Sequence, residues 1–290
     1  MTRILKNNYL KVSVRNTLKT PINKVSAVII TYNEANNLRR TLPQLYWCDE
    51  IILVDSFSSD KTISIAKEFH CKIIQRPFYG FGEQKSFAIK QAKNDWILSL
   101  DADEFLTGKL IGEICNELNN PGEILAYALR SNLVFRNQRF RFGNESSRYV
   151  LRLFNRNYGF MCLDKVHEKI HVEGRIKRLN NHLLHYSYQN ISQFMSKFDL
   201  YTEWCAEKYF QKGKRKSKFF ISVSIPFYFL KYYILDRNIL NGFNGLIWSA
   251  LTSFYHFLKY IKLEDMYIKD NIQSAIHENK STGFYRHGNV

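Results

Sequence analysis

Two carboxylates stand one residue apart in the run Asp101-Ala102-Asp103-Glu104, directly after the apolar stretch Trp96-Ile-Leu-Ser-Leu100. Mg²⁺ and Mn²⁺ favour oxygen ligands and are commonly completed by substrate phosphates. Such a pair on a strand-end turn therefore suits a hard divalent cation beside a phosphorylated substrate. The cation would offset charge on a departing phosphate group. A solvated acidic turn capping the next helix has the same composition, so spacing alone leaves both readings open.

Other side chains fall at comparable places. Asp55 follows Glu50-Ile-Ile-Leu-Val54 and can accept a hydrogen bond from a ligand N–H or simply form a turn. Asp60, with Ser58 and Ser59 before it, is a helix cap. Tyr32 can stack on a flat ring or merely pack, and Glu34 can reach a hydroxyl. Arg76 and Lys85, near Gly80 and Gly82, are cations that would meet a phosphate or remain solvated. In Val166-His167-Glu168, Glu168 is a candidate general base and His167 a group to orient it; an ordinary surface pair is the alternative. His171, His182 and His185 have no recognisable metal-ligand spacing.

The elements that must hold these residues are legible from Val25 to about Leu118. Short apolar runs at Val25–Thr31, Glu50–Val54, Lys72–Ile74 and Trp96–Leu100 read as buried parallel strands. Between them lie helices near 36 to 46, 61 to 69 (with Ser59 or Asp60 as N-cap), 83 to 92 and 107 to 118. Repeated β-α units predict an open α/β sheet, whose ligand crevice lies beyond the carboxyl ends of its strands. The polar clusters at 31–34, 55–60 and 101–104 should therefore converge. From 125 to about 188, β-like runs at 125–135, 149–154 and 183–188 predict mixed sheet and loops.

The last third differs. A basic run, Lys212 to Lys218, precedes the apolar stretch Phe219 to Leu235, interrupted by Lys231 and Pro226, and a second apolar run spans Gly242 to Leu258. Both fall short of the roughly 20 residues of a clean spanning helix. Their aromatic and cationic load predicts helices lying in a membrane interface, with a helical homodimer contact as the alternative. The segments thus read as a basic N-terminal piece (1–24), a catalytic α/β domain (25–190) and a helical C-terminal region (191–290).

With 45 % apolar residues among 290, the chain can bury a core, which argues against disorder. Five scattered cysteines include no C-x-x-C pair and suggest neither a disulfide framework nor a zinc knuckle. The first 24 residues are basic but lack the apolar core of a signal peptide, so export is not expected. A net charge of +16 implies an anionic partner, for which nucleic acid, lipid surface and phosphorylated substrate all qualify. The chain has no recognised nucleic-acid module.

Taken together, Val28-Ile-Ile-Thr-Tyr-Asn-Glu34, Ile51-Ile-Leu-Val-Asp-Ser56 with Ser59-Asp60, and Leu98-Ser-Leu-Asp-Ala-Asp-Glu104 resemble inverting glycosyltransferase family 2. The likeness continues through Leu151-Arg-Leu-Phe154, Val166-His-Glu168, His185-Tyr-Ser187, Gly242-Phe-Asn-Gly-Leu246 and Phe257-Leu-Lys-Tyr260. In that arrangement the chain is similar to lipopolysaccharide inner-core β-1,4-glucosyltransferases over nearly everything after residue 24. It departs where relatives often have Asn, at Ser86 beside Lys85, and where they have an Asp-Gly pair, at Asn241-Gly242.

The resemblance implies a GT-A (Rossmann-like) fold, a UDP-sugar donor such as UDP-glucose, and one inverting displacement. Tyr32, Glu34 and Asp55 would hold uridine, and Lys85 would contact the donor. Asp101 and Asp103 match the family's D-x-D motif, holding Mg²⁺ or Mn²⁺ with the second carboxylate closer to the metal. Glu168 would be the base for a heptose hydroxyl on a lipid-linked oligosaccharide acceptor. The enzyme would sit in the cytoplasm, peripheral on the anionic inner face of a bacterial inner membrane. Polyprenyl phosphate or a peptide is the alternative acceptor, and a non-enzymatic basic lipid-binding protein the alternative class.

Overall fold

Strands buried on both faces must be apolar on both faces, a condition the runs Val25–Thr31, Glu50–Asp55 and Trp96–Asp101 meet, while the Lys72–Gln75 run at the sheet edge is only half-buried. A computed structural model of the chain describes residues 21–161, 169–188 and 191–283. In it, β1 (Val25–Thr31), β2 (Glu50–Asp55), β3 (Lys72–Gln75) and β4 (Trp96–Asp101) pair in parallel in the order β3-β2-β1-β4. Helices α1 (Ala35–Thr41), α2 (Thr62–Glu68) and α3 (Phe81–Lys90) connect them. Alternation along β1 sends Ala27 and Ile29 into a core with Leu38, Leu45, Ile65 and Leu110, and Val28 into a second with Ala88, Ile89 and Phe154.

Beyond β4 the sheet turns antiparallel. After β5 (Glu104–Leu106), α4 (Gly108–Asn119) packs Leu110, Ile114 and Leu118 on the sheet, with Thr107 Oγ1 accepting from the Leu110 N–H at its start (3.3 Å). Then follow β6 (Ile124–Phe135), the short β7 (Gln138–Arg139), β8 (Arg148–Asn155), β9 (Gly159–Met161), β10 (Ile170–Val172) and β11 (Arg175–Tyr188). The sheet runs on from β4 through β8, β6 and β11 to β5, while β9 and β10 pair separately. β11 is more than twice the length expected, because Leu179 continues the buried face of Leu183 ahead of the run read at 183–188.

The chain parts into two compact units between Ser187 and Tyr188. The second holds α5 (Ile191–Gln211), α6 (Lys218–Leu230), a π turn (Lys231–Leu235), a 3₁₀ turn (Asn238–Asn241) and α7 (Gly242–Gly283). α7 runs well past the expected end at 258, since no Pro or Gly interrupts the chain until Gly283. Lys218–Leu235 is one continuous helical stretch of 18 residues, which by length and composition can cross a membrane, and 11 % of it is buried. Its exposed side chains include Phe219, Phe227, Leu230 and Leu235. Gly245 permits the tight return into α7: a Cβ there would stand 1.9 Å from the Asn238 carbonyl oxygen.

Candidate active site

Register brings the predicted polar clusters to one edge. Thr31 lies opposite Asp55, and Ile30 opposite Asp101, so the carboxyl ends of β1, β2 and β4 end at the same level. β1 is also where the strand order reverses, the place at which an open α/β sheet forms its ligand crevice.

The acidic turn is held on several sides. Asp101 Oδ1 meets Lys85 Nζ at 2.7 Å, and its Oδ2 meets Arg152 Nη2 at 2.7 Å. Glu104, 1 % exposed, accepts from Arg152 Nε at Oε2 and from Nη2 at Oε1, both at 2.8 Å, and its Oε2 also accepts from the Asp101 N–H at 3.0 Å. On α1, Thr41 Oγ1 donates to the carbonyls of Ala102 (2.8 Å) and Glu104 (3.3 Å). Asp103 faces the other way, with Oδ1 at 3.3 Å from His185 Nε2. β11 fixes that contact: His185 lies opposite Glu104, and the Tyr186 N–H donates to the Asp103 carbonyl at 2.9 Å.

This arrangement separates the acids by role. Burial pushes the Asp101 carboxyl up, but Lys85 and Arg152 overcome it and hold the group well below the usual carboxylate range. Burial likewise lowers His185, and the Asp103 carboxylate overrides it, raising the imidazole to about 9. Glu104 is an internal anchor, unlike Asp101 and Asp103, whose side chains retain 29 % and 11 % exposure. Asp101 and Asp103 offer the carboxylate oxygens a hard divalent cation takes, although among the described residues no three His, Cys, Asp or Glu side chains are grouped to hold one without ligands from a bound donor.

The first two loops form a connected cradle. Asp55, fully buried, accepts at Oδ1 from Thr31 Oγ1 (3.2 Å) and the Ser58 hydroxyl, and at Oδ2 from Ser58 N (2.9 Å) and Gln75 Nε2 (3.0 Å). These bonds hold Phe57 in left-handed backbone, φ 61°, a conformation costing a bulky residue about 1 kcal/mol or more. Asn33 Oδ1 accepts from Ser59 N at 2.8 Å, tying the loops together. Tyr32 is 61 % exposed at the rim, and Glu34 Oε2 accepts from Asn37 Nδ2 at 2.6 Å.

Asp60 serves two helices: Oδ1 accepts from Thr62 N at 2.9 Å and Oδ2 from Ala35 N at 3.2 Å. Its cap reaches α2 from one residue outside, because Lys61 occupies the N-cap position.

Lys85 is no solvated cation. It shares the sheet-facing side of α3 with Ala88 and Ile89, a phase readable from sequence. Arg76 instead lies over the rings of Tyr79 and Phe87. Arg152 was missed as a site residue: between Leu151 and Leu153 it shows the alternation of an ordinary half-solvated strand, and only the fold sets its face against Glu104. His185 was passed over because its neighbour Asp103 is remote in sequence. Val166, His167 and Glu168 lie outside the described residues.

The family model for glycosyl transferase family 2 matches residues 26–187. A glycosyltransferase of Rickettsia felis is 32 % identical over 258 residues, covering 85 % of this chain and 91 % of that protein. The lipopolysaccharide core biosynthesis glycosyltransferase LpsC of Rhizobium meliloti is 29 % identical over 247 residues, covering 82 % and 91 %. Among solved structures, S. aureus TarS 1-349 aligns with a TM-score of 0.42 at 14 % identity, over 85 % of this chain and 92 % of that one.

Proposed function

The chain belongs to glycosyl transferase family 2, and on that premise we propose that it transfers glucose from UDP-glucose to a lipopolysaccharide-core heptose, with inversion. Glycosyltransferase activity follows from the family. The core acceptor rests on the likeness to LpsC over most of both chains. The observation that carries the reading is the convergence of Asp101, Asp103, Lys85 and Arg152 at the strand ends, where carboxylates for a cation stand beside cations for a diphosphate.

Tyr32, Glu34 and Asp55 receive the uridine, with a base N–H replacing one donor now on Asp55. Asp103 and Asp101 hold Mg²⁺ or Mn²⁺, which supplies positive charge against that developing on the leaving diphosphate. Lys85 is poised to exchange Asp101 for a donor phosphate. Glu168 takes the proton of the acceptor hydroxyl. The freed oxygen bonds to C1 from the face opposite the diphosphate as the C1–O bond to UDP breaks, giving a β-linked product.

Exposed Phe219, Phe227 and Leu230 together with the basic run Lys212–Lys218 support attachment at the cytoplasmic face of the inner membrane, where a lipid-anchored acceptor is presented.

The test is release of UDP from a panel of UDP-sugars in Mn²⁺, Mg²⁺ or EDTA, comparing wild type with Asp103→Ala. Metal-dependent release favouring UDP-glucose, reduced about a hundredfold or more in the variant, is expected. Release unaffected by EDTA and by the variant would remove the metal role. Preference for another sugar would overturn the donor assignment.

A further inference from the structure

A lysine without a carboxylate lies inside the C-terminal unit. Lys259 on α7 is 4 % exposed, and among the described residues its Nζ has one hydrogen-bonding neighbour, His256 Nδ1, at 3.3 Å, and no carboxylate. Its ammonium otherwise meets ring faces, 4.4 Å from the Tyr260 centroid and 4.9 Å from that of Tyr209. Two of its three N–H donors therefore have no oxygen acceptor.

The surroundings add cations. Lys216 lies over Phe220, which packs on Tyr260, and Lys231 lies over Tyr228 and Tyr232. Tyr228 stacks on His256 with centroids 3.9 Å apart. His256 cannot serve as counter-charge, since its Nδ1 faces the ammonium and its Nε2 is bonded to Tyr232 Oη at 2.7 Å. Three acids of this unit pair elsewhere: Asp199 and Glu203 with Lys262, Glu264 with Lys218.

Burial of an unpaired charge is costly. It pushes Lys259 down to about 8; the Cys205 thiol nearby opposes the shift and Lys216 adds to it. The aromatic walls stabilise a cation but do not neutralise it.

We propose that Lys259, with Lys231 and Lys216 over the rings that surround it, forms a binding site for the phosphate of a membrane-lipid headgroup. The lipid source is argued from the same helices. Lys231 directly follows α6, whose exposed Phe227 and Leu230 would meet acyl chains while the three lysines meet the phosphate. The phosphate accepts the two unused N–H bonds of Lys259. The proposal rests on the membrane reading above for its setting, but lies in a different unit from the transfer chemistry.

The experiment is calorimetric titration of the full chain with dihexanoyl phosphatidylglycerol below its micellar concentration, in 0.5 M NaCl to screen loose attraction to the basic run. Saturable binding of one lipid per chain is expected, weakened about tenfold or more in both Lys259→Met and Lys231→Ala, as for loss of a charge-assisted hydrogen bond. Lys212→Met, in the exposed basic run, should bind as wild type. Equal binding of inorganic phosphate would move the assignment to a soluble phosphate and overturn the lipid source. No saturable binding by wild type, or unchanged affinity in Lys231→Ala, would overturn the site, and Lys231→Ala covers the case in which Lys259→Met does not fold. UDP release by the same preparations reports separately on the transferase reading.

Discussion

Replacing Arg152 by Met tests whether the acidic turn is held by a buried ion pair. Arg152 donates two hydrogen bonds to Glu104 and one to Asp101. Met preserves much of its volume but leaves Glu104, 1 % exposed, with only the Asp101 N–H as a hydrogen-bond donor among the described residues. Removing one partner of a buried pair costs about 3–5 kcal/mol. For a unit of this size each kcal/mol shifts the melting temperature by about 2–4 °C, so the transition should fall by roughly 6–20 °C. Thermal unfolding followed by circular dichroism measures it. Arg152→Met with Glu104→Gln should recover at least half of the loss, since the uncompensated charge has been removed. A melting temperature within a degree of wild type in the single variant, or no recovery in the double, would refute the anchoring argument. UDP release should drop in both variants, because Asp101 loses Arg152 in each.

Glu168→Gln should abolish transfer, by about 10²–10⁴-fold, while leaving UDP affinity near wild type; unchanged turnover would exclude the carboxylate as base. Tyr32→Ala should raise the donor KM about tenfold with little change in melting temperature, as expected for loss of a stacked base. Asp60 gives a pH signature. Burial raises its carboxyl, and bonds from Thr62 and Ala35 more than offset this, so its folded pKa lies below the ordinary value. Its contribution is complete above the unfolded pKa and lost as pH falls through the lower folded one. Acid unfolding of wild type should therefore be steeper across that window than that of Asp60→Asn.

How far the sequence could be read depended on the distance over which each signal acts. β1, β2 and β4 were legible because parallel strands covered on both faces must be apolar throughout, and Asp55 and Asp101 were placed by following those strands to their ends. Lys85 needed one further step, its helical phase with Ala88 and Ile89. Arg152 and His185 are 48 and 82 residues from the carboxylates they meet, and only the pairing of β8 and β11 brings them there. The burial of Lys259 depends on packing among three helices, so nothing within its own stretch of sequence signals it.

The switch from parallel to antiparallel pairing at β4 also bears on how the molecule is made. β1 to β4 form from contiguous β-α units, whereas β4 must wait for β8, and β5 for β11. Closing such distant pairs is the slow part of folding. A nascent chain that has emerged only as far as Leu106 carries both carboxylates of the acidic turn, yet neither Arg152 nor His185 to set them. Competence for chemistry should therefore appear late and abruptly during synthesis, sparing nucleotide sugars from idle hydrolysis on half-finished protein.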